Sequence, residues 1–521
     1  MRCFYNMTDE DIDQLTLRLV QGSITLFKWI GLQFLILFLT PFTWSIIPSG
    51  MPLYIVSYTL IFNVYWGIMS KDKRLNFIWK PYVGYLCITA ILSLALLDSL
   101  SLPGIVLAPL FGLLCLIMVR RYKHFRKIYA TTFARRMTIN VASIALIIAI
   151  VTIPKVWSVS AECQGHGSFK TEKDEILQRR NYLASKLIAP PKKVLHEMPS
   201  GIGAQFQGEW ALYSCSMFAM SLYNISQIYP ETRTENIHYI DSLISIVLSP
   251  ELREYDSNRW KEDALSTLQS YETSHISYIS HLAWMIGEYK AAGGGDKYDK
   301  LYAQLCNAMN GRILHSAALN LQTYPNESIY MPDMLVAIVA LKQYAALNNG
   351  EYASTVDAWV DKAKKEWLDP KTGLLVSFLN VDGSQITDMP TKGSYSALNC
   401  AYLTLIDRKF AQEQYSLLKS SFWKEGTLSG MKEYHDHSPI LGMDIDAGPV
   451  IMGLSPSGTA FSTGVATFFN DNEVRSNILR TAEICGNTLS SGNKKHYALA
   501  NIALVGEAIM LAMRTNAPAN L

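Results

Sequence analysis

Apolar and polar positions follow two different rhythms along this chain. Up to about residue 155 the apolar residues run together, and beyond it they recur every three or four positions. Five unbroken apolar runs occupy roughly 24–47, 53–70, 82–97, 104–119 and 138–153. Their lengths approach the roughly 17–25 residues that cross a bilayer as a helix, which predicts five membrane spans. The third and fourth are short enough that a re-entrant pair also fits. Farther on, the three-and-four spacing predicts helices at 173–189, 207–228, 234–248, 259–266, 273–292, 297–315, 330–347, 352–367, 394–406, 409–422, 456–470, 472–488 and 495–514. Turn residues punctuate them, as at Tyr229-Pro230, Gly293-Gly294-Gly295, Asn348-Asn349-Gly350 and Asn470-Asp471-Asn472. One hairpin is predicted, with strands 373–378 and 384–389 around Asp382-Gly383.

A dozen helices in that length form an antiparallel pair about every 55–60 residues, and an open solenoid of such pairs should show a fixed repeat motif. No such motif is found. Long polar, aromatic-rich loops at alternate junctions favour a closed (α/α)6 toroid, whose loops gather at one end. The expected fold class is therefore all-α. Residues 1–155 form a transmembrane bundle, and residues 156–521 form a toroidal domain with a small β-hairpin.

Charge adds an orientation. Of 46 Lys/Arg and 44 Asp/Glu, 14 and 6 fall in residues 1–150, leaving 32 and 38 for the remainder. The basic residues cluster between the second and third runs and between the fourth and fifth, whereas 48–52 and 98–103 carry none. Positive loops stay cytoplasmic, so five spans starting inside place the domain outside the cytoplasm, in a bacterial inner membrane. The run interiors hold almost no charge, which fits an anchor better than a transporter, with a lipid-presenting groove as the other reading. Basic residues interleaved with apolar runs, and not gathered on one soluble face, exclude a nucleic-acid binder. Cys215, Cys306, Cys400 and Cys485 fall in helical apolar patterns and are expected to be buried free thiols.

Four segments are too polar and aromatic for plain connectors. Gly201–Trp210 brings Glu209 and Trp210 to the start of a helix containing Tyr213; Glu209 can equally complement the helix dipole. Around 271–281, Ser274, Tyr278 and His281 share one helical face. A histidine there is either a satisfied core residue or an acid/base group. The loop 324–333 gathers Glu327, Tyr330 and Asp333, the last being a first-turn acid or a functional one. Finally, Glu433, His435, Asp444 and Asp446 lie in an acid- and His-rich stretch. Its spacing matches neither a helix-borne zinc site nor a calcium loop, so sugar-binding acids or a solvated loop fit better than a metal. Paired acids such as Asp333 and Asp446 suit general acid/base work on a glycoside. Phosphate-loop, dinucleotide and serine-elbow motifs are absent from the sequence.

These segments together resemble the linalool dehydratase-isomerase-like family over roughly residues 205–515. The resemblance lies in Leu212-Tyr213-Ser214 through Ile228-Tyr229-Pro230, and in Ile276–Leu282 with its Tyr-x-x-His-Leu pattern continuing to Gly287-Glu288-Tyr289. Asp369–Gly373, Lys432-Glu433 and the helix start near Gly458 also correspond. It implies an (α/α)6 toroid with its active site at one mouth, where acid/base residues, including the histidine matching His281, dehydrate or isomerise a tertiary allylic alcohol. One departure matters: where the family has a pair of cysteines, this chain has Thr323 and Pro332.

The expectation is a membrane-anchored enzyme performing cofactor-free, metal-free acid/base chemistry on a small-molecule, lipid or glycan substrate. His281, Asp333, Glu209, Asp446, Tyr213 and Tyr278 are the candidate catalytic residues. Trp210, Glu327, Tyr330, Glu433, His435 and Asp444 are the candidate substrate-binding ones. A glycan-active hydrolase, lyase or epimerase on the same toroid is the alternative. A non-catalytic lipid- or sugar-binding envelope protein is the third reading.

Overall fold

The computed structural model describes residues 168–198, 204–316, 318–386, 389–426, 428–436, 441–444, 447–451, 453–486, 488–497, 500 and 503–518. Fourteen helices run through them: α1 (Phe169–Leu187), α2 (Pro191–His196), α3 (Ala204–Ile228), α4 (Arg233–Val247), α5 (Pro250–Trp260), α6 (Ile276–Ala291) and α7 (Asp299–His315), followed by α8 (Met331–Leu347), α9 (Ala353–Glu366), α10 (Gly393–Ile406), α11 (Arg408–Phe422), α12 (Pro456–Phe468), α13 (Asn472–Gly486) and α14 (Leu504–Arg514).

Burial sorts these helices into two kinds. Every residue of α6 from Ile276 to Tyr289 is buried, and α8, α10 and α12 are buried almost as completely. By contrast α11 buries one stripe, Phe410, Ala411, Gln414, Tyr415, Leu418 and Phe422, as an amphipathic surface helix must. The packing follows that division. The helices α3, α6, α8, α10, α12 and α14 each pack against the next, and α14 packs back on α3. Six helices thus close a ring. Outside it α4, α7, α9, α11 and α13 each lie against their inner neighbours, and α1 covers the junction of α14 and α3. Since inner and outer helices alternate along the chain, the inner helices run the same way and their N-termini collect at one end.

Ion pairs close the ring as well. Glu172 of α1 accepts from Arg475 of α13 at 2.6 and 2.8 Å and from Arg514 of α14 at 2.8 Å. Arg179 donates to Glu507 at 2.8 Å. All five side chains are buried. The guanidinium groups hold Glu172 at about 2 against the cost of burial, below its ordinary 4.5.

Short strands dress the end where the inner helices begin. Strand β1 (Ile329–Tyr330) pairs antiparallel with β2 (Phe378–Leu379), setting Tyr330 opposite Phe378. Strand β3 (Trp423–Lys424) pairs with β4 (Gly430–Met431), and β5 (Leu441–Asp444) with β6 (Gly448–Ile451).

Several expectations need correction. Among the described residues no helix is long and apolar enough to cross a membrane. The fold class that stands for the described residues is a mostly helical body with short hairpins, in place of the expected all-α protein with a transmembrane bundle. The five apolar runs lie outside the described residues, and no described helix supports a membrane location. The predicted helix 259–266 is displaced: α5 ends at Trp260, where Lys261 adopts a left-handed φ of 64° that terminates it, and a single 3-10 turn follows at Ala264–Thr267. Residues 494–497 are extended, so the last helix starts at Leu504 and not near 495. The Asp-Gly turn forms, with Gly383 at φ 83° and Asn380 N–H donating to the Ser384 carbonyl. Its first strand, however, pairs with β1. Cys215, Cys306 and Cys400 are buried free thiols, whereas Cys485 is exposed.

Candidate active site

The starts of α3, α6 and α8 bring the first candidate residues together. Asp333 lies in the first turn of α8, after Pro332, whose missing N–H costs nothing in a helix's opening turn. Its Oδ2 accepts from Thr323 Oγ1 at 2.5 Å. Glu209 lies in the second turn of α3, one turn before Tyr213 on the same face. Between these acids stands a hydroxyl relay. Tyr255 of α5 hydrogen-bonds Ser277 of α6 at 3.1 Å, and Ser277 meets Tyr324 at 3.4 Å. Helix α5 reaches this position because Gly208 leaves room: a Cβ on Gly208 would lie 2.7 Å from the Tyr255 Cβ.

The electrostatics show the convergence. Burial pushes Tyr255 well above its ordinary value, and Asp256, Glu209 and Asp333 push it further. Tyr324 rises through burial, then Glu209, Tyr255 and Asp333. Tyr402 of α10 rises through burial, Tyr213 and Asp333. Tyr213 rises through burial and Asp333, against a lowering hydrogen bond from Tyr402. One carboxylate therefore acts on four phenols carried by α3, α5, α10 and the loop before α8. All four stay protonated near neutral pH, as donors.

Tyr213 and Tyr402 meet across the ring, hydroxyl to hydroxyl, at 3.2 Å. Trp284 of α6 lies edge-on to Tyr402, with ring centroids 5.7 Å apart. These three rings form a floor beneath the acids. His281 sits beside it, 3% exposed, edge-on to Tyr213 at 5.4 Å. Its Nδ1 lies 2.7 Å from Ser216 Oγ, which also reaches the Tyr213 carbonyl at 3.2 Å. The serine thus fixes the orientation of the imidazole, whose tautomer decides which of the two donates. Burial alone pulls His281 down to about 3, so it is neutral at physiological pH.

Acids were expected to face His281. No carboxylate contributes to its shift; the acids act on the tyrosines instead. The physical reason is depth, since His281 lies more than a turn inside α6, where α3 covers it. Tyr278 belongs to neither group: fully buried, it donates to the Val247 carbonyl at 3.0 Å, toward the outer helices.

The remaining candidates fall around the rim. Glu327 pairs with Arg259 at 2.7 Å and accepts from Tyr330 at 3.2 Å, while Arg259 lies 4.1 Å over the Tyr324 ring. Trp210 is half-buried against the core. Tyr330, Phe378 and Tyr395 stack edge-on at 5.0 Å steps into an aromatic wall. Glu433 is fully buried and receives Ser394 Oγ at 2.8 Å and Ser394 N–H at 3.2 Å, an anion capping the start of α10. His435 is exposed and bound to Asp436 at 2.6 Å. Asp444 ends β5 opposite Gly448. Asp446 lies outside the described residues, so its pairing with Asp333 has no structural counterpart here. No cluster of three or more His, Cys, Asp or Glu suited to a metal occurs among the described residues.

Sequence reasoning missed Tyr255, Ser216 and Tyr402. Tyr402 sits in a helix apolar enough to read as plain core, and Tyr255 in a segment too polar to read as helix. No family model matches the chain.

Proposed function

We propose that this end of the ring is an acid/base site acting on an uncharged, hydroxyl-bearing substrate. Asp333 is its proton acceptor, and the tyrosine hydroxyls are its donors. The observation that carries the reading is that burial, joined by the charge of Asp333, keeps four phenols from four separate elements protonated. A base beside neutral donors can remove a proton at one position while a phenol protonates a departing or migrating hydroxyl at another. Neutral His281, oriented by Ser216, adds a hydrogen-bonding imidazole beside the Tyr213–Tyr402 pair. Resemblance to the linalool dehydratase-isomerase-like proteins supplies the reaction type, dehydration or hydroxyl shift. Where that family has a thiol, Thr323 here holds Asp333.

The test is direct. The full chain is incubated with a tertiary allylic alcohol, and alkene and rearranged alcohol are followed by gas chromatography. Asp333→Asn should lower turnover by roughly 10²–10⁴-fold, the usual worth of a positioned acid or base. Absence of product from the wild type, or full activity in Asp333→Asn, would reject the assignment.

A further inference from the structure

Two buried polar side chains near the floor have no role in the chemistry described so far. Ser280 of α6 and Asn399 of α10 are 0% and 1% exposed. Among the described residues, Ser280 Oγ and both carboxamide atoms of Asn399 make no hydrogen bond. Protein interiors pair the large majority of such groups, so an amide unpaired at both ends calls for a partner from outside the chain.

Their placement is common to both helices. Trp284 and Tyr402 touch across the ring and set one level. Ser280 precedes Trp284 by four residues and Asn399 precedes Tyr402 by three, so each stands one turn above its aromatic neighbour on nearly the same face. Both helices begin at the end that carries Asp333, so "above" means toward that carboxylate. In the ring α8 lies between α6 and α10 and packs on both. The two unpaired groups therefore flank the helix of Asp333, one turn over the aromatic floor.

We propose that Ser280 and Asn399 form a subsite for an uncharged hydroxyl head group, which receives a hydrogen bond from the carboxamide N–H and donates one to its oxygen. The proposal rests on the acid/base reading only for the direction from which the ligand enters. A hydroxyl matches a carboxamide because it can donate and accept at once. A charged head group does not match. Ser280 and Asn399 are themselves neutral and buried, so an ion would shed its hydration here for uncharged partners.

Hexan-1-ol, hexanoate and hexylamine share one apolar body and differ only in head group. Binding of each to the full chain is measured by calorimetry, with melting temperature as a second readout. Hexan-1-ol should bind and raise the melting temperature, and the two ions should not. Asn399→Leu, nearly the same shape, should weaken hexan-1-ol by about tenfold or more without lowering the melting temperature of the ligand-free protein, because an unpaired buried amide has been removed. Ser280→Ala, a one-atom deletion, should weaken binding in the same direction. No binding of hexan-1-ol by the wild type would overturn the proposal. So would unchanged affinity in both variants, ions that bind as tightly as the alcohol, or a lowered melting temperature in ligand-free Asn399→Leu. Asp333→Asn should still bind hexan-1-ol. Loss of turnover there with binding intact separates the fate of the subsite from that of the acid/base reading.

Discussion

Replacing Glu172 by Gln should destabilise the ring strongly at neutral pH and much less in acid. Glu172 is the shared acceptor of Arg475 and Arg514, all three are buried, and the carboxylate is held at about 2. Removing its charge takes a shared carboxylate from both guanidinium groups, although Arg514 keeps Glu175 at 2.7 and 3.1 Å, so the loss is about 3 kcal/mol, the low end for a broken buried pair. The pH dependence follows from the direction of the shift. A carboxylate depressed on folding contributes its full stabilisation above its unfolded value, 4.5, and loses it as pH falls toward 2. The full contribution is about 3 kcal/mol, of which about 2 kcal/mol is gone by pH 3. A carboxamide at this position does not titrate, so the gap between wild type and Glu172→Gln should narrow by about 2 kcal/mol from pH 7 to pH 3. Urea unfolding of the full chain at both pH values, followed by far-UV circular dichroism, measures it. A gap below about 1 kcal/mol at pH 7, or one that does not change with pH, would refute the reasoning, since a buried broken pair must show both signs.

Gly208→Ala should cost about 1–3 kcal/mol through overpacking, because the new methyl meets Tyr255 at 2.7 Å. A lowered melting temperature with weakened activity checks that α5 is held by this contact. His281 should remain neutral from pH 8 down to about pH 4, given its value near 3, with its ¹⁵N imidazole shifts unchanged over that range. Protonation between pH 5 and 7 would contradict its burial. Among Cys215, Cys306, Cys400 and Cys485, a thiol reagent should modify exposed Cys485 first. Cys215, raised by burial to about 12, should stay unlabelled until the protein unfolds.

The helical character was legible, and two kinds of helix can be told apart because they carry different patterns. Segments apolar on every side, such as Ile276–Tyr289, became inner helices, and striped ones, such as Arg408–Phe422, became outer ones. Glu209 and Asp333 were legible as acids at helix starts, a position that also brings them to the common end of the ring. Partnership was harder to read. Periodicity places Tyr278 and His281 on nearby faces, but it does not say that Tyr278 reaches an outer helix's carbonyl while His281 reaches Ser216. Glu433 looked like a ligand-binding acid because its charge is visible in the sequence; the Ser394 N–H and hydroxyl that hold it are some 40 residues away. Tyr255 sits in Pro250–Trp260, whose stability comes from a Pro-containing first turn and the Ser249 cap at 3.4 Å and not from an apolar stripe.

The pairing of α1 with α13 and α14 joins residues more than 300 positions apart, 303 between Glu172 and Arg475 and 342 between Glu172 and Arg514. During synthesis, the first outer helix leaves the ribosome with its charges exposed and waits for the last inner helix before it can bury them. At about 5–20 residues per second that wait lasts tens of seconds. Over this interval α3 has a neighbour on one side only, and its apolar far flank is open to other chains. The domain therefore cannot mature hairpin by hairpin as an open array can. A truncation or stalled chain short of Arg514 loses the seam that holds Tyr213 opposite Tyr402, and is exposed to chaperones and proteases in proportion to the delay.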